Sequence, residues 1–373
     1  MKRFTSLLTL VLIISATSLF AQRSDKDSRY DIAWNSLEFR SIGPAFTSGR
    51  ISDFAVNPDN HSEFYIATAS GGVWKTENGG ISLKPVFDNE GSYSIGFVAM
   101  DPNNHNVVWV GTGENNNQRS VAYGDGVYKS IDGGKSWKHM GLKNSEHIGM
   151  IEIDPRDSDV VYVAATGPLW SSGGDRGLYK TTDGGENWEK VLEISEHTGV
   201  NEVHMDPRNP DVLYATAHQR RRRVFTYISG GPESAVYKST DAGKTWKKTM
   251  RGMPSGDIGR IGMDISPANP DVIYASVEAE SGKSGFYRSD DRGESWEKQS
   301  NYSSSGNYYQ EVIADPVDVD LVYVMNTYSG VSEDGGKTFN NVGEKNKHID
   351  NHALWINPDN PNHLLNGNDG GVY

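Results

Sequence analysis

The chain has 373 residues, with 41 Gly, 18 Tyr, 9 Trp, no Cys and a formal charge of −13, a composition suited to an all-β protein with many tight turns rather than a helical bundle. The absence of Cys excludes disulfides, a thiolate nucleophile and a lipid-bearing cysteine. An acidic surface repels phosphate backbones, so nucleic acid is not expected as a partner.

In chain order, Lys2 and Arg3, the apolar run Leu7 to Ile14 and the small residues Ser15 to Ser18 read as a secretory signal ending near Ala21. Its removal takes the charge from −13 to −15 and leaves no later segment apolar enough to span a bilayer. The expected product is exported: periplasmic, cell-surface or secreted. Residues 22–33 are expected to form a flexible segment and residues 34–373 one propeller domain, as the N-terminal part of a longer protein. Within that domain, Trp34 to Ile42 has the phase of an outer strand and is expected to pair with the last repeat, closing a ring.

From residue 55 onward one unit is written seven times. An apolar strand ends in a proline turn and a second apolar strand follows, as in AVNPDNHSEFYIAT at 55, EIDPRDSDVVYVAAT at 152 and WINPDNPNHLLNGN at 355. The turn prolines stand at 58, 102, 155, 207, 267, 316 and 358, and the spacing fits one four-stranded blade of about 40 to 50 residues per repeat. A second element follows in most repeats, for example YKSIDGGKSW at 128 and YKTTDGGENW at 179. Its aspartates (Asp132, Asp183, Asp241, Asp291, Asp334) can accept backbone N–H bonds inside the turn. Gly supplies positive φ, and the aromatic that follows (Trp137, Trp188, Trp246, Trp296, Phe339) packs beneath the loop. A residue required alike in every repeat is explained by turn geometry, so these aspartates are structural. The expected fold is an all-β, seven-bladed propeller of four-stranded antiparallel blades, the last one incomplete or completed by the N-terminal strand.

Such blades place the aspartate turns on one face and the loops of variable length on the other, so function is expected opposite the turns. Along that face the sequence offers Glu114 and Asn115 with their neighbouring Asn residues, suited to sugar hydroxyls, and Trp170 as a stacking surface. His147, His197 and His348 recur at like positions of three repeats. Arg220, Arg221 and Arg222, continued by Arg223, form the one basic run, able to clamp a carboxylate or sulfate. His348, Asp350 and His352 have strand-alternate spacing and, with Asp369, offer a divalent-metal set. No cofactor is required. The expected partner is an extracellular protein, peptide or glycan, bound without membrane insertion once the signal is removed.

The repeated turns and the stretch SGGVWKTENGG at 70–80 resemble the Asp-box (BNR) repeats. From about residue 30 the chain is similar to the sortilin N-terminal domain family, and FRSIGPAFTSGRISDFAVNP resembles exported bacterial proteins labelled glycosyl hydrolase. This resemblance implies a propeller, with either a binding platform or, as the alternative, a glycoside hydrolase of xyloglucanase or sialidase type. Xyloglucanase-type enzymes carry an acid where this chain has Ala69, which leaves the catalytic residues unassigned and makes binding the leading expectation.

Overall fold

In a computed structural model of the chain, residues 49–117 and 121–373 are described. The signal segment and the expected closing strand at 34–42 lie outside them. Seven antiparallel sheets follow one another, each with its strands in chain order from the inside outward. The inner strands are Ile51–Val56, Ile95–Met100, Ile148–Ile153, Thr198–Asp206, Ile258–Ile265, Val312–Ala314 and Asn351–Ile356, for blades 1 to 7. Blades 1, 2, 3, 5 and 6 have four strands and blade 7 has three among the described residues. Blade 4 carries an extra strand, Thr226–Ser229, paired with the far end of the long strand Asn209–Arg223. Residues 217–235 are therefore largely a hairpin rather than an irregular loop.

Hydrophobic burial between adjacent sheets holds the ring together. Tyr65, Val73 and Phe87 of blade 1 pack on Ile95, Val110 and Tyr128 of blade 2. Tyr162 and Leu178 of blade 3 pack likewise on Val203 and Leu213 of blade 4. Among the described residues, blade 1 meets blade 7 through Ile51, Phe54 and Phe64 against Ala353, with Trp355 and Leu365 alongside. Gly367 is small because a Cβ there would lie 2.5 Å from Ile51.

The aspartate turns are built as the residue pattern requires. Asp132 Oδ1 accepts the N–H groups of Lys135 and Ser136 at 3.0 and 2.9 Å, and its Oδ2 accepts the Ser136 hydroxyl at 2.6 Å. Asp183, Asp241, Asp291 and Asp334 repeat the arrangement. Trp137, Trp188 and Trp296 each donate an indole N–H to a carbonyl of the preceding blade (Val86, Met140, Thr249), so each turn is also a seam between blades. Trp246 donates instead to Gly243 within its own turn.

Candidate functional site

Because the first and third turns of a four-stranded blade share one end, the proline turns and aspartate turns lie together. The second loop and the connection to the next blade lie on the opposite face. That opposite face, and the channel wall leading from it, hold the polar chemistry.

Along the channel, inner strands carry acids that sequence reading missed, Glu202 buried and Asp53, Glu152 and Asp264 half-buried. Asp53, Glu152, Glu202 and Asp264 each accept an N–H from the next blade's inner strand: Val98 at 3.0 Å, Met205 at 3.4 Å, Met263 at 2.8 Å and Ala314 at 2.8 Å. Burial outweighs these bonds and pushes the carboxyls up, to about 8 for Asp53 and Glu202, about 7 for Glu152 and about 6 for Asp264. His204 stands between Glu202 and Asp264, at 3.4 and 3.9 Å. A signal was present in the sequence: each acid interrupts an apolar inner strand three or five residues before its turn proline.

At the mouth, residues of several blades form one network. His352 Nε2 lies 3.0 Å from Asp369, and Asp369 faces Arg50 at 3.8 Å. Arg50 in turn pairs with Glu114, which also accepts bonds from Asn116 and from the Ala122 N–H. Glu114 is thus a buried anchor of its own loop rather than a free acid. Burial acts to raise the Asp369 carboxyl, but the His352 bond and the His352 and Arg50 charges hold it below its usual value. Asp350 accepts the Tyr309 hydroxyl at 2.5 Å, and Tyr309 stacks on His352.

The segment after Glu114 crosses the mouth. Asn117 donates its backbone N–H to Asn307 between blades 5 and 6, and its side chain meets His218 of blade 4 at 3.3 Å. Arg220 fixes the crossing by donating to Asn116 O, Asn117 Oδ1 and Gly167 O at 3.0, 2.6 and 3.0 Å. Burial lowers Arg220 to about 9 and Arg176, which binds carbonyls of the 166–173 loop, to about 10. No sequence signal marked Arg50 or Tyr309, because each acts through contacts distant in the chain, and Arg176 was missed although its carbonyl partners in the 166–173 loop lie within ten residues.

The recurrent histidines have separate surroundings. His147 is buried, bonded to Glu114 O at 2.9 Å and driven well below its usual value by burial and then by Arg220. His197 is half-buried beside Glu196, and His348 is exposed, with Nδ1 on Ile349 O. Asp350 has φ 63° and the seventh inner strand begins only at Asn351, so strand alternation does not align His348, Asp350 and His352. Among the described residues no three metal-ligating side chains gather as an ion site. Asn115 is half-buried, and Ala69 is fully buried, its N–H on Arg50 O at 2.9 Å.

Exposed aromatic side chains are unevenly distributed. Tyr93, Tyr123, Trp170, Phe225 and Tyr328, exposed by 66, 62, 43, 85 and 51%, all lie in loops of the mouth face. On the aspartate-turn face the exposed large apolar residues are aliphatic: Ile81, Leu83, Ile131 and Val317.

The family model described as "Sortilin, neurotensin receptor 3" matches residues 125–284. A probable oligoxyloglucan-reducing end-specific xyloglucanase of Neosartorya fischeri is 25% identical over 74% of this chain and 36% of its own length. A xyloglucanase of Acetivibrio thermocellus is 26% identical over 57% of this chain and 27% of its own. The chain thus spans about a third of the length of the curated relatives it matches. In fold it is similar to the GH74 xyloglucanase from Xanthomonas campestris, with TM-score 0.64 and 18% identity, covering 87% of this chain and 51% of that one. It is also similar to YCF48 bound to D1 peptide, with TM-score 0.58 and 15% identity, covering 90% and 96% of the two chains. No helix among the described residues is long and apolar enough to cross a membrane. In fold the chain is a seven-bladed β-propeller, similar over residues 125–284 to the sortilin family model and over part of its length to xyloglucanases.

Proposed function

We propose that the chain is the propeller of an exported glycoside hydrolase-type protein that acts on polysaccharide, with its mouth face as the glycan-binding side. The observation that carries this reading is that five of the six exposed aromatics among the described residues lie on that face, the sixth being Tyr373 beside Asn366 of blade 7. A sugar ring presents C–H groups to a flat aromatic surface, and spaced rings can hold an extended chain where aliphatic side chains offer no such platform. The xyloglucanase relatives support the same substrate class. Hydrolysis needs two carboxyls about 5 to 9.5 Å apart whose environments differ. Asp369, on His352 and facing Arg50 at the mouth, is the carboxyl that the test below addresses. The proposal requires no cofactor.

A binding platform without hydrolysis is the second reading, favoured by one observation: Ala69 is buried where xyloglucanase-type enzymes carry an acid. Incubation of the exported protein with xyloglucan and other β-glucans, followed by assay of new reducing ends, separates the two. New reducing ends that fall at least tenfold in Asp369→Asn support hydrolysis. Saturable binding with no new ends supports the platform, and absence of both rejects the polysaccharide reading.

A further inference from the structure

Arginine usage divides sharply in this acidic chain. Arg50, Arg156, Arg208, Arg251, Arg260, Arg288 and Arg292 each lie within 4.0 Å of a carboxylate. Arg176 and Arg220 to Arg223 make no such pair among the described residues, although the chain carries 49 acids against 36 Lys and Arg. Glu146 feels the charges of Arg220 and Arg176 without a direct bond.

Four nitrogens in this group, Arg220 Nε, Arg221 Nε and Nη1 and Arg222 Nε, are buried with no hydrogen-bond partner among the described residues. Arg220 itself is 1% exposed. Arg220 Nε and Arg222 Nε belong to side chains turned to the Asn116–Asn117 crossing, whereas the two on Arg221 are costly as they stand and an anion that accepts from them removes the cost. On the hairpin, Arg220 and Arg222 turn toward the Asn116–Asn117 crossing, and Arg222 also lies over the Tyr227 ring at 4.0 Å. Strand alternation turns Arg221 and Arg223 to the other side. The Arg222 N–H donates to Leu169 O at 2.9 Å, which brings the half-exposed Trp170 alongside that hairpin edge.

We propose that this edge is an anion subsite for an acidic polysaccharide: Arg221 and Arg223, on a background set by Arg176, take a uronate carboxylate or sulfate ester while Trp170 stacks on the adjoining sugar. The inference rests on the polysaccharide reading above and names its substrate class. A peptide carboxylate would satisfy the arginines but not the exposed aromatics of the mouth face.

The test is calorimetric titration of the protein with four probes at low and high salt: oligogalacturonate, sulfated dextran oligomers, neutral xyloglucan oligomers, and a peptide with a free or amidated C-terminus. One acidic glycan is expected to bind saturably and at least tenfold tighter than the neutral one, and to weaken in high salt. Arg223→Gln, whose side chain is exposed, and Arg221→Gln are each expected to lower that affinity about tenfold while neutral-glycan binding and thermal unfolding stay unchanged. The response to carboxylated against sulfated probes identifies the anion. Neutral glycan binding as tightly as either acidic one, or acidic binding indifferent to Arg223→Gln, overturns the subsite and leaves the polysaccharide function standing. No glycan binding overturns both, as does Arg221-dependent binding confined to the free-carboxyl peptide.

Discussion

Single residues show where this fold carries strain. The third position of the aspartate turn needs positive φ, supplied by Gly133, Gly184 and Gly335 at 71, 67 and 72°, yet Ala242 and Arg292 occupy it at 58 and 59°. An L side chain there costs about 1 kcal/mol relative to glycine, offset in part by glycine's larger chain entropy. Arg292 has a compensating bond to Asp271 at 2.6 Å, which Ala242 lacks. Ala242→Gly is therefore expected to stabilise by about 0.5 kcal/mol and raise the unfolding temperature by roughly 1 to 2 °C in calorimetry, whereas Arg292→Gly is not. Arg220 sets the opposite extreme. Arg220→Ala strands three buried acceptors, Asn116 O, Asn117 Oδ1 and Gly167 O, and is expected to destabilise by about 3 kcal/mol and to raise amide exchange at 113–117.

At the scale of the element, the aspartate turn was legible because its chemistry is local: donor, acceptor and glycine lie within seven residues. Blade 1 shows how far the pattern bends. Asn78 takes the aspartate's place, with Oδ1 accepting the Ser82 N–H and Nδ2 donating to the Ser82 hydroxyl, both at 3.0 Å. Asp241→Asn should therefore keep the turn, while Asp241→Ala, which loses both Thr245 bonds, should lower the unfolding temperature measurably below that of the Asn variant. Equal values for the two variants would contradict the bracing role. The mouth was far less legible. Glu114, Trp170, Arg220 and Asp369 were visible as residue types, but Arg50 reaches Glu114 across 64 residues and Arg220 reaches Asn116 across 104. Only the closed ring makes them neighbours. The 348–352 spacing did not give strand alternation for a related reason: alternation applies inside a strand, and this one starts at Asn351.

For the whole molecule, the inner ring links pH to stability. Asp53, Glu152, Glu202 and Asp264 have folded values above the ordinary carboxylate range, so the folded state holds protons that the unfolded chain releases. Their contribution is complete below about pH 4 and is lost as pH rises through 6 to 8. His147 and His218, held neutral by burial, act oppositely, but only below about pH 6.5. Between pH 6.5 and 8, below the Arg220 value of about 9, the carboxyls dominate and the unfolding temperature is expected to fall. Glu202→Gln keeps an acceptor for the Met263 N–H and removes one titrating group, so it should flatten the slope.

The central claim is that the two faces are divided in labour: aspartate turns brace the seams, and the loops opposite them meet a polysaccharide. Hydrogen exchange with and without a bound glycan oligomer tests it most directly. The account predicts protection in 113–126, 167–177 and 217–235, with 131–136, 182–187 and 240–245 unchanged. Protection concentrated in the aspartate turns, with the mouth loops unaltered, would contradict it.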